Sequence, residues 1–371
     1  MKKIGVMTFH ASHNYGSVLQ AYALQKKLTV EGYNVKILNY RTDAQKACYP
    51  LKRKYKGAKG VIRMLWQKAI FKKLKRRYYG FEQFINETLL TTDEIKNEAE
   101  LRQYTTFFDV YVCGSDQIWN PSCLDFSPAY YLNFVEGKRT VAYAPSLGRA
   151  EFSEGDETLI ASLLKNVDYI SVREKKGAEL LSKLTDKPVE NVCDPVILLE
   201  KKYWDEVAVK PNIKQPYLLC YFLDNNHGNY AYLELIAKTL NLKVVVLNER
   251  IRDFFKIGYR KEYGALPFEF VGLIKYASFV YTNSFHATAF SSIFNVPFVS
   301  MIAENERVYN NNDSRKIDFL NAVGLSSNYR KTLTAKEIMG LSKTDFFITN
   351  KRLNLMKNDS EAYLLGAIEN E

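Results

Sequence analysis

The stretch that most constrains the fold is Ser278–Met301, SFVYTNSFHATAFSSIFNVPFVSM. Phe279 to Thr282 is aromatic and β-branched, so it reads as a buried strand. Asn283 and Ser284 end it with residues that favour turns and helix N-caps. His286 follows, then ATAFSSIF with helical spacing. Asn295 and Pro297 close that helix, and Phe298 to Met301 resumes as strand. The order is strand, polar elbow, helix, strand. A helix N-terminus offers unpaired N–H groups and a partial positive charge, which suit a phosphate or carboxylate. The elbow is therefore expected to hold an anionic small molecule through Asn283 and Ser284, with His286 acting on it.

The rest of the chain repeats this alternation. Lys3 to Phe9 is a strand, HASHNYGS a loop, SVLQAYALQKKLTVEG a helix and NVKIL a strand, a βαβ opening that predicts parallel pairing. GxGxxG is missing from the first turn, which argues against a dinucleotide. Asn14, Tyr15 and Gly16 are candidate ligand contacts there; Gly16 equally suits a bland turn into the helix. Phe108 to Cys113 is a strand that runs into GSDQIWN. Polar residues at the carboxyl edge of a parallel sheet are where α/β proteins place ligands. Asp116 is the candidate general base, Ser115 a donor, Gly114 a loop contact and Trp119 a stacking surface for a sugar ring. The alternative is a turn in which Asp116 caps the next segment. Arg173, at the end of strand Tyr169–Val172, offers a rigid fork for carboxylate or phosphate, or else is an ion-paired structural residue. Asp194 before Pro195 reads as a turn-fixing residue.

With 371 residues, two domains are expected. The first covers 1–205 and the second 206–345, with a linker within Lys201–Gln215. A last helix, within 346–371, crosses back to the first domain. Arg307 and Arg315 follow the elbow and could close over an anion, or lie on a surface loop. No stretch approaches the roughly 18 to 20 apolar residues of a membrane helix, and the N-terminus lacks a secretory h-region. Five cysteines without CxxC spacing suggest reduced thiols in a cytoplasmic protein. Clustered Cys/His pairs and an Asp-x-Asp pair are both missing, so no metal requirement is expected.

The net charge of +11 is local in origin. Residues 44–81 hold 13 Lys/Arg and no acidic residue, which leaves the remainder near −2. This argues against a nucleic-acid protein with a whole basic face. Val61, Ile62, Leu65, Trp66, Ala69, Ile70 and Leu74 fall on one helical face. Such a helix either lies on an anionic membrane or partner, or packs on its own domain with a solvated basic side.

HNYGSVLQAYAL, VCGSDQIWNP, ISVREKKGAELL, the Cys-Asp-Pro turn and TNSFHATAFSSIFNVPF occur in order from Met1 to about Gly324. Together they resemble the polysaccharide pyruvyl transferase family. The resemblance implies a GT-B-like α/β fold, two Rossmann-like domains facing across a cleft. It also implies transfer of pyruvate from phosphoenolpyruvate, as co-substrate and without a cofactor, to a sugar of a surface polysaccharide or its lipid-linked precursor. Arg173 and His286 match the family's donor arginine and histidine. Some members carry an Arg two residues before that His, where this chain has Ser284. The first domain would take the acceptor and the second the donor. The protein would be cytoplasmic, with peripheral contact at the inner face of the membrane through 44–81. Two other readings remain open. One is a GT-B glycosyltransferase using a nucleotide sugar, the other a non-catalytic glycan-binding protein.

Overall fold

The computed structural model describes residues 1–52, 58–148, 151–223, 230–247, 256–302 and 314–370; Arg307 lies outside them. Two all-parallel sheets organise the chain. The first contains β1 (Lys3–Met7), β2 (Asn34–Tyr40), β3 (Thr91–Ile95), β4 (Val110–Cys113) and β5 (Arg139–Ala142) in the order β3-β2-β1-β4-β5. A further parallel pair, β6 (Ile170–Val172) and β7 (Val189–Asn191), extends it. The join is a bridge from Val141 to Tyr169 and the bond Ala142 N to Tyr169 O, 2.8 Å. The second sheet holds β8 (Tyr217–Tyr221), β9 (Lys243–Val246), β10 (Arg260–Lys261), β11 (Phe279–Thr282), β12 (Phe298–Met301) and β13 (Tyr329–Arg330). Its order is β10-β9-β8-β11-β12-β13. β4, β8, β11 and β12 are buried along their whole length. Strands covered on both faces lack an exposed side and read as continuous apolar runs.

Each sheet reverses its winding once. In the first, β2 and β4 flank β1; in the second, β9 and β11 flank β8. At such a switch point the loops leaving the two central strands part and open a crevice at the carboxyl edge. The loop after β1 ends at Asn14, and Tyr15 and Gly16 open the next helix; the loop after β4 carries Gly114–Asp116. The loop after β11 carries Asn283 and Ser284, and His286 stands in the first turn of the helix that follows. Fold topology thus puts the candidate motifs at the two crevices.

One expectation is narrowed and one corrected. Within Lys201–Gln215 the linker is left to residues 208–215, because Lys201–Val207 forms a helix. Its Trp204 is fully buried, donates to Val196 O at 3.0 Å and meets Phe290 edge-on at 4.9 Å. Such a large aromatic fixes the segment against both domains. The basic segment is not one continuous helical face. Helices Ala58–Ala69 and Phe71–Gln83 break at Ile70, whose φ/ψ of −100°/5° leaves the helical region. Ile70 and Leu74 enter the core of the second sheet, whereas Val61, Ile62 and Leu65 stay exposed.

The helix Phe347–Glu369 touches the first sheet at several points. Cys193 N donates to Ser360 Oγ at 2.9 Å, Arg139 Nη1 to Ile368 O at 2.9 Å and Tyr363 OH to Ala142 O at 3.1 Å. The Lys27 ammonium, 1% exposed, ties the first helix to it through Glu361 at 2.8 Å, alongside Glu31 at 2.7 Å. No helix among the described residues is long and apolar enough to cross a membrane.

Candidate functional site

The helix Tyr15–Val30 starts the site. Asn14 caps it, its side chain accepting from Gly16 N at 2.8 Å. Three residues of its first turns then face three parts of the site. Gly16 lies so close to His286 that a Cβ would stand 2.1 Å from Nδ1. Ser17 Oγ donates to Asp116 Oδ2 at 2.5 Å. Gln20 fixes the elbow after β4, accepting from Ser115 N at 3.0 Å and donating to Thr8 Oγ1 at 2.8 Å. Asp116 follows with φ/ψ of 66°/−174°, a positive-φ extended conformation that is otherwise almost confined to glycine and is held by this network.

Arg173, Asp194 and His286 meet in the interior. Asp194 caps the short helix Pro195–Leu198 through Oδ1, which accepts from Val196 N at 3.0 Å. Its Oδ2 accepts from Arg173 Nη1 and lies 3.5 Å from His286 Nε2. Burial works against the Asp194 charge. His286 and Arg173 outweigh it and hold the carboxyl well below the usual carboxylate range. Burial likewise works against the Arg173 charge, but Asp194, Glu174 and Asp116 keep its pKa above the ordinary value. Arg173 Nη2 stands 3.8 Å from Asp116 Oδ1, and its guanidinium lies 4.8 Å from the Phe285 ring centroid. Two donors of this 7%-exposed arginine, Nε and Nη2, make no hydrogen bond among the described residues, nor does His286 Nε2. Buried donors without acceptors are costly, most of all on a guanidinium, and mark a site where an acceptor belongs.

Beside this cluster lies a cavity of about 520 Å³ whose walls include Arg173, Lys175, Asp194, Phe285 and Arg315. Arg315, on the helix Ser314–Val323, reaches the first domain. With the amide oxygen of Gln117 turned toward it, both Nη atoms donate at 2.9 Å. Arg173 and Asp194 thus connect the cavity to His286 and Asp116, which do not line it themselves.

Several sequence expectations are corrected. Trp119 is fully buried, stacks on Tyr131 at 4.5 Å and donates to Tyr130 O, so it cannot face a sugar. Ser115 is fully buried, with Oγ bonded to Ala144 O at 2.6 Å. Gly114 is packed so tightly that a Cβ would lie 2.0 Å from Tyr143 O. Tyr15 joins the domains, donating to Ala265 O at 2.8 Å and stacking on Phe270 at 4.5 Å. Asn14 is taken up by its cap. Ser284, 2% exposed, caps its own helix by accepting from Ala287 N at 3.4 Å. Asn283 accepts from Leu223 N at 2.9 Å and ties the loops after β8 and β11. Sequence reasoning read Asp194 as a turn-fixing residue and left out Ser17, Gln20 and Gln117. Asp-Pro signalled only the cap, and Ser17 and Gln20 only a helix.

Two Rossmann-like α/β domains meeting at their strand ends define a GT-B-type architecture. The chain belongs to the polysaccharide pyruvyl transferase family, whose model matches residues 14–305. No curated protein matches it. Among solved structures it is similar to UDP-N-acetylglucosamine 2-epimerase from Rickettsia bellii, with TM-score 0.55, 10% identity and coverage of 100% of this chain and 97% of that one. It is also similar to the MnaA–UDP co-structure from S. aureus, with TM-score 0.49, 13% identity and coverage of 99% and 98%.

Proposed function

We propose that this protein transfers pyruvate from phosphoenolpyruvate to a sugar of a surface polysaccharide or its lipid-linked precursor, forming a ketal. The observation that carries the reading is the unsatisfied pair of Arg173 donors beside His286 Nε2. Phosphoenolpyruvate brings a carboxylate and a phosphate, acceptors that suit a guanidinium fork. Arg315 and Lys175, on the adjoining cavity wall, add positive charge for the same anion.

The reaction joins two sugar hydroxyl oxygens to C2 of the enolpyruvate and breaks the C2–O bond to phosphate. One hydroxyl proton ends on the methylene carbon, which becomes a methyl group. The other leaves with the phosphate. We assign the proton delivered to the methylene carbon or to the phosphate to His286, whose residue type suits acid work near neutrality. Asp194 Oδ2 lies 3.5 Å from its Nε2, and Asp116 is the assigned base for an acceptor hydroxyl. The reaction is placed in the cytoplasm, where phosphoenolpyruvate is made.

The test is phosphate release and ketal formation from phosphoenolpyruvate and candidate glycans, with calorimetry of both donor classes. Binding of phosphoenolpyruvate that Arg173→Ala abolishes supports the proposal. Binding of a nucleotide sugar, with none of phosphoenolpyruvate, would replace it with a glycosyltransferase. Surface-glycan modification that persists in cells carrying His286→Ala would point to a non-catalytic role.

A further inference from the structure

The helix Ala58–Ala69 rests Trp66 partly on the core of the second sheet and leaves its other large apolar side chains outward. Val61, Ile62, Met64 and Leu65 are 51%, 59%, 46% and 60% exposed, while the polar Gln67 is turned in and buried. The next helix, Phe71–Gln83, has the ordinary orientation and anchors the segment to both domains. Leu74 enters the core of the second sheet, Arg76 pairs with Glu269 and donates to Gly264 O, and Arg77 donates to His13 O of the first domain. The first helix is thus presented outward on a fixed base.

Its surroundings are basic. The 13 Lys/Arg of residues 44–81 have no acidic residue among them, and Lys68 on this helix and Lys72 and Lys75 on the next are exposed. Tyr79, more than half exposed, adds an amphipathic ring. We infer that this face docks on the surface of an anionic lipid bilayer. The aliphatic side chains would enter the acyl boundary while the lysine ammonium groups reach the lipid phosphates. A second copy of the chain fits poorly, because a two-fold contact would set this basic segment against itself. The inference stands independently of the donor.

The test is co-sedimentation of the full chain with vesicles of phosphatidylcholine alone and with added phosphatidylglycerol. Wild type should sediment with the anionic vesicles only. Ile62→Glu with Leu65→Glu should weaken this at least about tenfold, since charges repelled by the lipid replace inserted side chains. Lys68→Glu with Lys72→Glu should weaken it as well. Both pairs are exposed, so thermal unfolding should stay at the wild-type temperature and catalysis on a water-soluble acceptor should persist. Failure of wild type to bind anionic vesicles would overturn the inference, as would binding unchanged in the Ile62/Leu65 variant. A dimer seen by light scattering and dissolved by Leu65→Glu would assign the face to a second copy instead.

Discussion

Gly16 and His286 touch across the domain boundary, leaving no room for even a methyl group between helix and imidazole. Gly16 is therefore a packing requirement of the site, and its φ is not one that demands glycine. Gly16→Ala must push the His286 ring aside. With His286 in its proposed role, a displacement of about 1 Å costs on the order of 10²-fold in rate. Turnover should fall by about that factor while donor affinity and circular dichroism change little. Wild-type turnover in Gly16→Ala would show that the ring's position is not important.

Asp194 Oδ2 pairs with Arg173 and lies 3.5 Å from His286 Nε2. Asp194→Asn keeps the helix cap but removes the hydrogen-bonded counter-ion of a buried guanidinium, a loss of about 3–5 kcal/mol. The carboxyl is depressed by His286 and Arg173 against the effect of burial. Its contribution is therefore present above the unfolded pKa, about 3.9, and is lost as pH falls toward the folded value. Urea unfolding should show the full gap between wild type and variant at neutral pH, narrowing below about pH 4. A gap as wide in strong acid as at neutrality would count against the ion pair.

Glu82 makes a second, separable network. It bonds His13 at 2.7 Å and takes Arg41 through two bonds of 3.0 Å. Burial works against its charge, but the His13 and Arg41 bonds lower its pKa to about 2. Glu82→Gln should cost about 1–3 kcal/mol at neutral pH. The difference should be complete above the unfolded pKa, about 4.3, and fade as pH approaches about 2. Thermal unfolding of both proteins across that range is the measurement.

Trp119 separates a sugar platform from a core residue. Its burial against Tyr131 predicts that Trp119→Ala destabilises by about 3–5 kcal/mol. Trp119→Phe should leave the acceptor KM unchanged. A raised KM with unaltered stability in Trp119→Phe would restore the stacking role.

Fold and site differed in how much of them the sequence displayed. The strands β4, β8, β11 and β12 announced themselves as apolar runs, and GSD and NSFH as their polar ends, because hydrophobic period and turn chemistry act over a few residues. The short edge strands β3, β10 and β13 gave little signal. Two-residue strands such as β10 and β13 are defined by their neighbours, not by their own pattern. In the site, Arg173 and His286 were recognisable from motif and position, whereas Trp119 and Ser115 looked accessible only because burial cannot be read from a loop's composition.

The sequence by itself determined the alternation of strands and helices, the strand ends at which polar residues cluster and the isolated patch of positive charge. These are properties of neighbouring residues. Only the tertiary structure decided that Asp194 both caps a helix and joins Arg173 to His286. That Gly16 makes room for an imidazole of the other domain was likewise settled there. It also decided that one apolar face turns outward at Val61–Leu65 and inward at Ile70–Leu74. Periodicity is the same on both sides of Ile70; the break there and the surfaces of two packed domains choose which half is covered.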